Sequence, residues 1–386
     1  MKIPLAKPMF GEEEKQLVLE VLESGWVVQG PKVAEFERRF AAFTGAPFAV
    51  AASSCTTALH LALISLGIGP GQEVIVPAFT WIATANVVEM VGARPVFVDI
   101  DLETFNIDVR RVEKAITAKT GAIIPVSLFG LSADLHPILD LAQKHELKVV
   151  EDAACALGAL YHGHPAGTMA DAACFSFHPR KSITTGEGGM LTTANETVAA
   201  DVRSRRDHGA SANDLVRHLG ARTYLLPEFN HFGYNYRMTD LQGALGVAQM
   251  GRLEWILQRR AVLAERYDAA LKGIPWLRPP VVPGGYRHAY QAYVCLFQSE
   301  TPCLDNVVTL NTNRNAFMDR LEAAGLSSRP GTHAVHLQGY YREKYGYNPE
   351  DFPQAYLADQ LTLTLPLYAQ MTEVEQDYVI ECIKRG

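Results

Sequence analysis

Several signatures that would settle the class of this 386-residue chain at a glance are missing from it. There is no GxGxxG turn and no GxxxxGK(S/T) run, so neither a dinucleotide fingerprint nor a nucleotide-hydrolysing phosphate loop is written into it. The six cysteines (Cys55, Cys155, Cys174, Cys295, Cys303, Cys382) form no CxxC pair. Several stand in apolar, strand-like contexts where reduced, buried thiols are the rule. A reducing compartment, the cytoplasm, is the expected location. No Lys/Arg block occurs and the formal charge is −7, which argues against a nucleic-acid or anionic-membrane surface. Apolar runs such as 73–78 and 148–150 have strand length and fall far short of a bilayer span. Residues 1–5 hold one basic side chain, no apolar stretch and no small-residue cleavage site, so no signal peptide is expected.

What is present is an ordinary globular composition, 48% hydrophobic and 20% charged, which excludes disorder, fibrous repeats and coiled coils. Short β-branched runs (48–51, 74–76, 95–100, 122–126, 149–150) alternate with amphipathic stretches (56–66, 82–91, 109–118, 136–145). That rhythm predicts an α/β domain with a mostly parallel sheet, its strands apolar on both faces because helices cover both sides. Thr239-Asp240 reads as the N-cap region of a long helix reaching about Leu271. Beyond it, Pro275, Pro279, Pro280 and Pro283 with Gly284-Gly285 mark a junction. A strand at 291–297, a helix at 315–324 and a final helix after Thr372 predict a smaller α+β domain. The expected division is 1–250 for the large domain with its N-terminal segment, and 251–386 for the linking helix and small domain. The polar stretch 300–314 reads as irregular.

Chemistry concentrates in the first domain. Asp152 stands at the carboxyl end of a predicted strand, the end that opens onto the ligand crevice in open α/β sheets. A second strand, 173–177, leads into His178-Pro179-Arg180-Lys181 and the Gly186-Glu187-Gly188-Gly189 turn. A carboxylate and a lysine around one crevice suit pyridoxal 5′-phosphate. The amine forms a Schiff base with its aldehyde, and the carboxylate keeps its ring nitrogen protonated. The phosphate would sit on Ser53-Ser54-Cys55-Thr56-Thr57, a hydroxyl-rich turn between a strand and a helix. Trp81, just after another strand, could cover the ring. Each feature alone has an ordinary reading: a strand-end carboxylate, a solvated lysine, a helix cap, a core tryptophan. The pairs His162/His164 and His333/His336 lack further ligands, and no metal site is expected.

Taken in order along nearly the whole chain, these features resemble the DegT/DnrJ/EryC1/StrS family of sugar aminotransferases. The resemblance rests on Ser24-Gly25-Trp26, Gly30-Pro31 with Phe36-Glu37, Ser54-Cys55-Thr56-Thr57-Ala58-Leu59 and Phe79-Thr80-Trp81. It continues through Val98-Asp99-Ile100-Asp101, Glu151-Asp152-Ala153-Ala154, Ser176-Phe177-His178-Pro179-Arg180-Lys181, Gly186-Glu187-Gly188-Gly189 and Gly233-Tyr234-Asn235-Tyr236-Arg237-Met238. It implies the α/β fold of PLP-dependent transferases of fold type I, with a large mostly parallel-sheet domain and a smaller C-terminal α+β domain.

Carried over by position, it makes Lys181 the Schiff-base lysine, Asp152 the ring-nitrogen partner, and Trp81 the ring cover. Ser176 and the Cys55-Thr56 turn would hold the phosphate. Asn235 would reach the phosphate of a neighbouring subunit, implying a homodimer with shared active sites. Two positions depart from the family pattern: Cys55, where glycine or alanine is common, and Cys155, where glutamine or histidine meets the coenzyme's phenolic oxygen. The implied reaction moves an amino group from glutamate to a nucleotide-linked keto sugar. The run from His178 to Thr185 before the glycine turn resembles members that aminate C4 of a 4-keto-6-deoxy hexose, with His178 beside the sugar; amination at C3 is the alternative. Arg329 and His336 lie in a stretch that resembles the part near the nucleotide, and Arg329 suits a diphosphate. A non-catalytic regulatory protein on this fold, or a nicotinamide oxidoreductase, are rival classes. Intact Lys181 and Asp152 oppose the first, and the missing glycine fingerprint opposes the second.

Overall fold

The apolar five-residue runs become the strands of one sheet because their side chains have cover on both sides. The computed structural model describes residues 1–211 and 226–385. Its main sheet holds seven strands: β1 (Phe48–Ala52), β2 (Glu73–Pro77), β3 (Arg94–Val98), β4 (Thr120–Ile123), β5 (Lys148–Asp152), β6 (Ala172–Ser176) and β7 (Gly189–Thr193). Their spatial order is β1-β7-β6-β5-β4-β2-β3. The pairs from β6 to β3 are parallel, while β7 is antiparallel to both β1 and β6. Two reversals cancel, so β1 points the same way as β5 and β6. The carboxyl ends of all three therefore open on one edge of the sheet.

Helices α1 (Glu12–Ser24), α2 (Pro31–Thr44), α3 (Cys55–Ser65), α4 (Ala83–Met90), α5 (Val109–Ala115), α6 (Leu135–Lys144) and α7 (Glu196–Arg205) accompany this sheet. Their ends follow local chemistry. Gly25 and Gly45 close α1 and α2 in the left-handed region, at φ 71° and 77°. Asn195 caps α7 by accepting from the Thr197 and Val198 amides at 2.9 and 3.2 Å. The long helix α8 (Asp240–Leu271) starts at Thr239 with a reciprocal Thr239/Gln242 capping box, at the place and over the length that the sequence predicts.

The C-terminal part adds an antiparallel three-stranded sheet, β8 (Leu277–Arg278), β9 (Tyr293–Phe297) and β10 (Thr362–Leu365), in that order. With it come α9 (Val307–Ala323), α10 (Gly339–Tyr345), α11 (Pro353–Leu361) and α12 (Glu373–Lys384). One feature differs from the sequence reading. The stretch 300–314 is not wholly irregular: α9 begins inside it, burying Val307, Leu310, Arg314, Phe317 and Leu321 at helical spacing. Asn306, Asn311, Thr312 and Asn313 have low helix propensity and mask that stripe, which burial of the apolar face overrides. The helix α8 serves two cores. Its Val247, Leu253 and Ile256 pack with α1 and α2, and its Leu263, Tyr267 and Leu271 pack on the small sheet. The N-terminal segment sits with the small sheet too. The Ile3 amide donates to the Gly325 carbonyl at 2.9 Å, and the Ser327 amide donates to the Ile3 carbonyl at 2.9 Å.

Candidate active site

Strand direction brings the chemistry together. Asp152 ends β5 and pairs in register with Cys174 of β6. Ser176 ends β6 opposite Gly189, the first residue of β7. The Gly189 α-carbon in turn lies against the turn after β1: an added Cβ would fall 2.4 Å from the Ser54 carbonyl and 2.5 Å from the Cys55 amide nitrogen. Only glycine permits that approach. Ser54 caps α3, its hydroxyl accepting from the Thr57 amide at 3.1 Å. Cys55 and Thr56 thus open a helix whose first amides are aimed at the same crevice.

Asp152 is 5% exposed. One carboxylate oxygen accepts from the Thr84 hydroxyl at 2.8 Å and the other from the Ala154 amide at 3.1 Å. Burial pushes its pKa up, with those two hydrogen bonds and the Lys181 charge pulling the other way. Burial outweighs the pull of Lys181 and the two hydrogen bonds, so a further cation placed beside this carboxylate would favour its charged form. The Lys181 amine donates to the Cys155 sulfur at 3.1 Å, three residues beyond Asp152. Burial draws the Lys181 pKa down, but its interaction and hydrogen bond with Cys155, then Cys55 and Asp152, outweigh it and the net direction is up. Burial and the nearby Asp152 carboxylate hold the Cys55 thiol well above its ordinary range.

Trp81 follows the short strand Phe79–Thr80, which pairs with His333–Ala334. It is 57% exposed and its ring lies 5.8 Å from that of His333, tilted by 40°. Thr80 bonds Thr84 at 3.1 Å and Thr84 bonds Asp152, so the tryptophan's segment is tied to the carboxylate. His178 is half-buried, its Nδ1 accepting from the Arg180 amide at 3.3 Å. Burial lowers its pKa, with Lys181, Arg180 and Arg329 acting in the same direction and Glu187 against, which keeps the ring neutral. Arg329 comes from the far end of the chain, placed beside β10 by the Thr364 amide, which donates to its carbonyl at 2.8 Å. It reaches the surroundings of Arg180 and Cys155.

His336 and Asn235 have different surroundings. His336 is 0% exposed, edge-on to Phe352 at 4.8 Å, and has no surface on which a sugar could rest. Asn235 is exposed and bridges in backbone register to Asp207. Its neighbour Tyr236 accepts at its carbonyl from the Ser53 amide at 2.8 Å, so the segment borders the turn before α3. Sequence reasoning missed Thr84 and the Gly189 contact. Thr84 lies three residues after Trp81 on the buried face of α4, a position whose spacing was there to be read.

The donor set fits pyridoxal phosphate: a buried carboxylate whose charged form a cation would favour, an amine within the same crevice, and a glycine-formed cradle at a helix N-terminus. Comparison with known proteins agrees. The profile of the DegT/DnrJ/EryC1/StrS aminotransferase family matches residues 8–384. The spore coat polysaccharide biosynthesis protein SpsC of Bacillus subtilis is 42% identical over 382 residues, covering 99% of this chain and 96% of that one. The GDP-perosamine synthase of Caulobacter vibrioides is 39% identical over 385 residues, covering 99% and 97%. Among solved structures, the PLP form of the Streptococcus pneumoniae protein Spr1654 superposes with a TM-score of 0.90 at 33% identity, covering 100% of this chain and 98% of that one. The chain belongs to the DegT/DnrJ/EryC1/StrS aminotransferase family and is a PLP-dependent enzyme.

Proposed function

We propose that this sugar aminotransferase moves an amino group from glutamate to C4 of a nucleotide-linked 4-keto-6-deoxy hexose, in the cytoplasm, as a homodimer. The observation that carries the reading is that Lys181, in the turn after β6, reaches the end of β5 where Asp152 is buried, its amine 3.1 Å from the Cys155 sulfur. When bound, the coenzyme supplies a carbonyl carbon for the amino group and a ring that accepts electrons from the substrate carbon. Asp152 is the residue that would hold the ring nitrogen, kept in place by Thr84 and Ala154. Lys181 Nζ is the base and acid at the substrate carbon: a buried amine can take a proton from the donor and return one to the acceptor. Ser176, Cys55 and Thr56 would hold the phosphate, with Asn235 reaching in from the other subunit, and Trp81 would lie on the ring face.

The choice of C4 rests on the His178 to Thr185 run. A neutral His178, with Nδ1 engaged by the Arg180 amide, offers Nε2 to a sugar hydroxyl. A relative named GDP-perosamine synthase makes GDP one carrier to try. The test incubates the coenzyme-loaded protein with glutamate and UDP-, GDP- or dTDP-linked 4-keto and 3-keto sugars, reading products by mass. An amino sugar from a 4-keto substrate is expected. Conversion of 3-keto sugars alone would transfer the reading to C3, and no conversion of any would sink it.

A further inference from the structure

One contact in the crevice offers chemistry that amino transfer does not use. Cys155 stands where the family commonly has glutamine or histidine, and its sulfur accepts from the Lys181 amine at 3.1 Å. Both residues are held by backbone bonds rather than by each other. The turn that carries Cys155 is closed by the Ala156 amide, which donates to the Ala153 carbonyl at 2.9 Å, and by the Ala154 amide on the Asp152 carboxylate at 3.1 Å. The turn that carries Lys181 is closed by its own amide, which donates to the His178 carbonyl at 2.8 Å. The Gln291 side chain pins the same turn through the Arg180 carbonyl at 2.7 Å. Nitrogen and sulfur are thus presented at the separation of reacting atoms, about 3–3.5 Å. Exposure favours this thiol over its neighbours on the same strands. Cys174 is sealed at 0% exposed, and burial holds the Cys55 thiol well above its ordinary range, whereas Cys155 is half-buried. Oxidation follows thiolate character and access, so it selects Cys155.

We infer that Cys155 and Lys181 form an oxidation-sensitive pair, in which hydrogen peroxide joins the sulfur covalently to the amine and withdraws the lysine from the coenzyme. The Cys155 thiolate attacks one peroxide oxygen. The S–O bond forms, the O–O bond breaks, and the leaving hydroxide takes a proton from the Lys181 ammonium to become water. Sulfur is oxidised by two electrons and the peroxide is reduced. The amine left neutral by that proton transfer then attacks the sulfenic sulfur. The S–N bond forms, the S–O bond breaks, and hydroxide departs with an amine proton as a second water. One thiol, one amine and one peroxide thus give one sulfenamide and two waters. A small thiol reverses the bridge: it attacks the sulfur and releases the amine, and a second thiol frees Cys155 while the two become a disulfide. Coenzyme joined to Lys181 takes the amine out of this reaction, so the coenzyme-free protein is the sensitive form. That consequence rests on Lys181 being the coenzyme's lysine, as proposed above; the bridge itself rests only on the contact.

The test treats full-length protein, with and without coenzyme, with stoichiometric hydrogen peroxide and maps its peptides by mass. In the coenzyme-free sample a cross-linked pair of peptides is expected, one holding Cys155 and the other Lys181, lighter by two hydrogens than the two together. Dithiothreitol should abolish that species. Coenzyme uptake, read from its visible band, should be lost after peroxide and return after dithiothreitol, and protein loaded with coenzyme beforehand should yield little of the cross-link. Cys155→Ser, which keeps the size of the side chain but cannot be oxidised, should take up as much coenzyme after peroxide as before it. Cys155 recovered as a sulfinic acid or in a disulfide with Cys55, with Lys181 unmodified, would overturn the inference, as would equal loss of uptake in Cys155→Ser. The wild-type peptide map decides the bridge even if that variant fails to fold. Borohydride fixation of coenzyme at another lysine would instead defeat the assignment of Lys181, and the mapped cross-link would still stand or fall by itself.

Discussion

Asp152 shows at the scale of one residue how burial becomes chemistry. Its carboxylate is kept from water and pushed up in pKa, and two hydrogen bonds only partly offset that, so a cation brought beside it is bound firmly. Asp152→Asn keeps the shape and one acceptor but removes the charge. Turnover should fall about a hundredfold or more, as loss of a partly buried charge pair implies, and coenzyme should wash out on dialysis. Steady-state rates and absorbance after dialysis check this, and near-normal turnover would refute the role of Asp152. His336 illustrates the opposite use of burial. Its pKa is pushed down to about 4 by desolvation, and neither ring nitrogen has a partner of good geometry. The unfolded chain protonates this imidazole near 6.5, whereas the folded chain waits until about 4, so in that window the unfolded state binds more protons. Stability is full above about pH 6.5 and drains away as pH falls to about 4, by on the order of 3 kcal/mol for this residue. His336→Leu should match or exceed wild type in urea at pH 7 and lose less between pH 7 and 5. Some slope should remain, because burial also holds His288 down at about 3. An unaltered slope would show that His336 is not buried neutral.

Among elements, the contact between β7 and the start of α3 matters most, because it shapes the phosphate end of the crevice. A methyl group at Gly189 would strike backbone atoms of Ser54 and Cys55, which cannot swing aside as a side chain could. Gly186, at φ +83° with nothing within 4 Å of an added Cβ, would suffer only backbone strain. Gly189→Ala should therefore lower coenzyme affinity at least tenfold and cost about 2 kcal/mol or more, while Gly186→Ala costs about 1. Coenzyme titration and thermal melting of both variants distinguish them; equal behaviour would mean the contact is not tight. The helices divide in how openly the sequence displays them. The start of α8 is plain because Thr239 and Gln242 cap it locally. The start of α9 is hidden, because its stripe has value only once β10 lies under it: Arg314 is buried and donates to the Thr362 carbonyl at 2.9 Å.

For the molecule as a whole, α8 joins two cores on one rigid rod, and the N-terminal segment fastens the second. Ile3 is 1% exposed within the core of the small sheet, and the Leu367 amide donates to the Leu5 carbonyl at 3.1 Å. Ile3→Ala should cost about 2–4 kcal/mol, read by urea denaturation, although the residue is remote in sequence from everything it supports. A loss below 0.5 kcal/mol would show the segment to be loosely attached. The proposed dimer has its own test. Asn235→Ala and Lys181→Ala should each be nearly inactive as homodimers. When the two are unfolded and refolded together, mixed dimers should regain activity, because one site per dimer then has both an intact Lys181 and an intact Asn235 from its partner. No recovery would place Asn235 in its own subunit's site or outside any site.

Residues near one another in the chain announced much of this. Alternating strands and helices, the capping chemistry of α8, and the ordered run of Asp152, Ser176, Lys181 and the glycine turn are local patterns, and local patterns survive without knowledge of the fold. The strand-end position of Asp152 was equally legible, since a parallel sheet opens its carboxyl ends to ligands. Tertiary structure alone decided that β7 reverses, that Gly189 meets Ser54, that Thr84 holds Asp152, and that His336 is sealed while Arg329 is brought beside β10. Each of these joins residues far apart in the chain, and which distant surfaces meet depends on the packing of the entire core rather than on any neighbour in sequence.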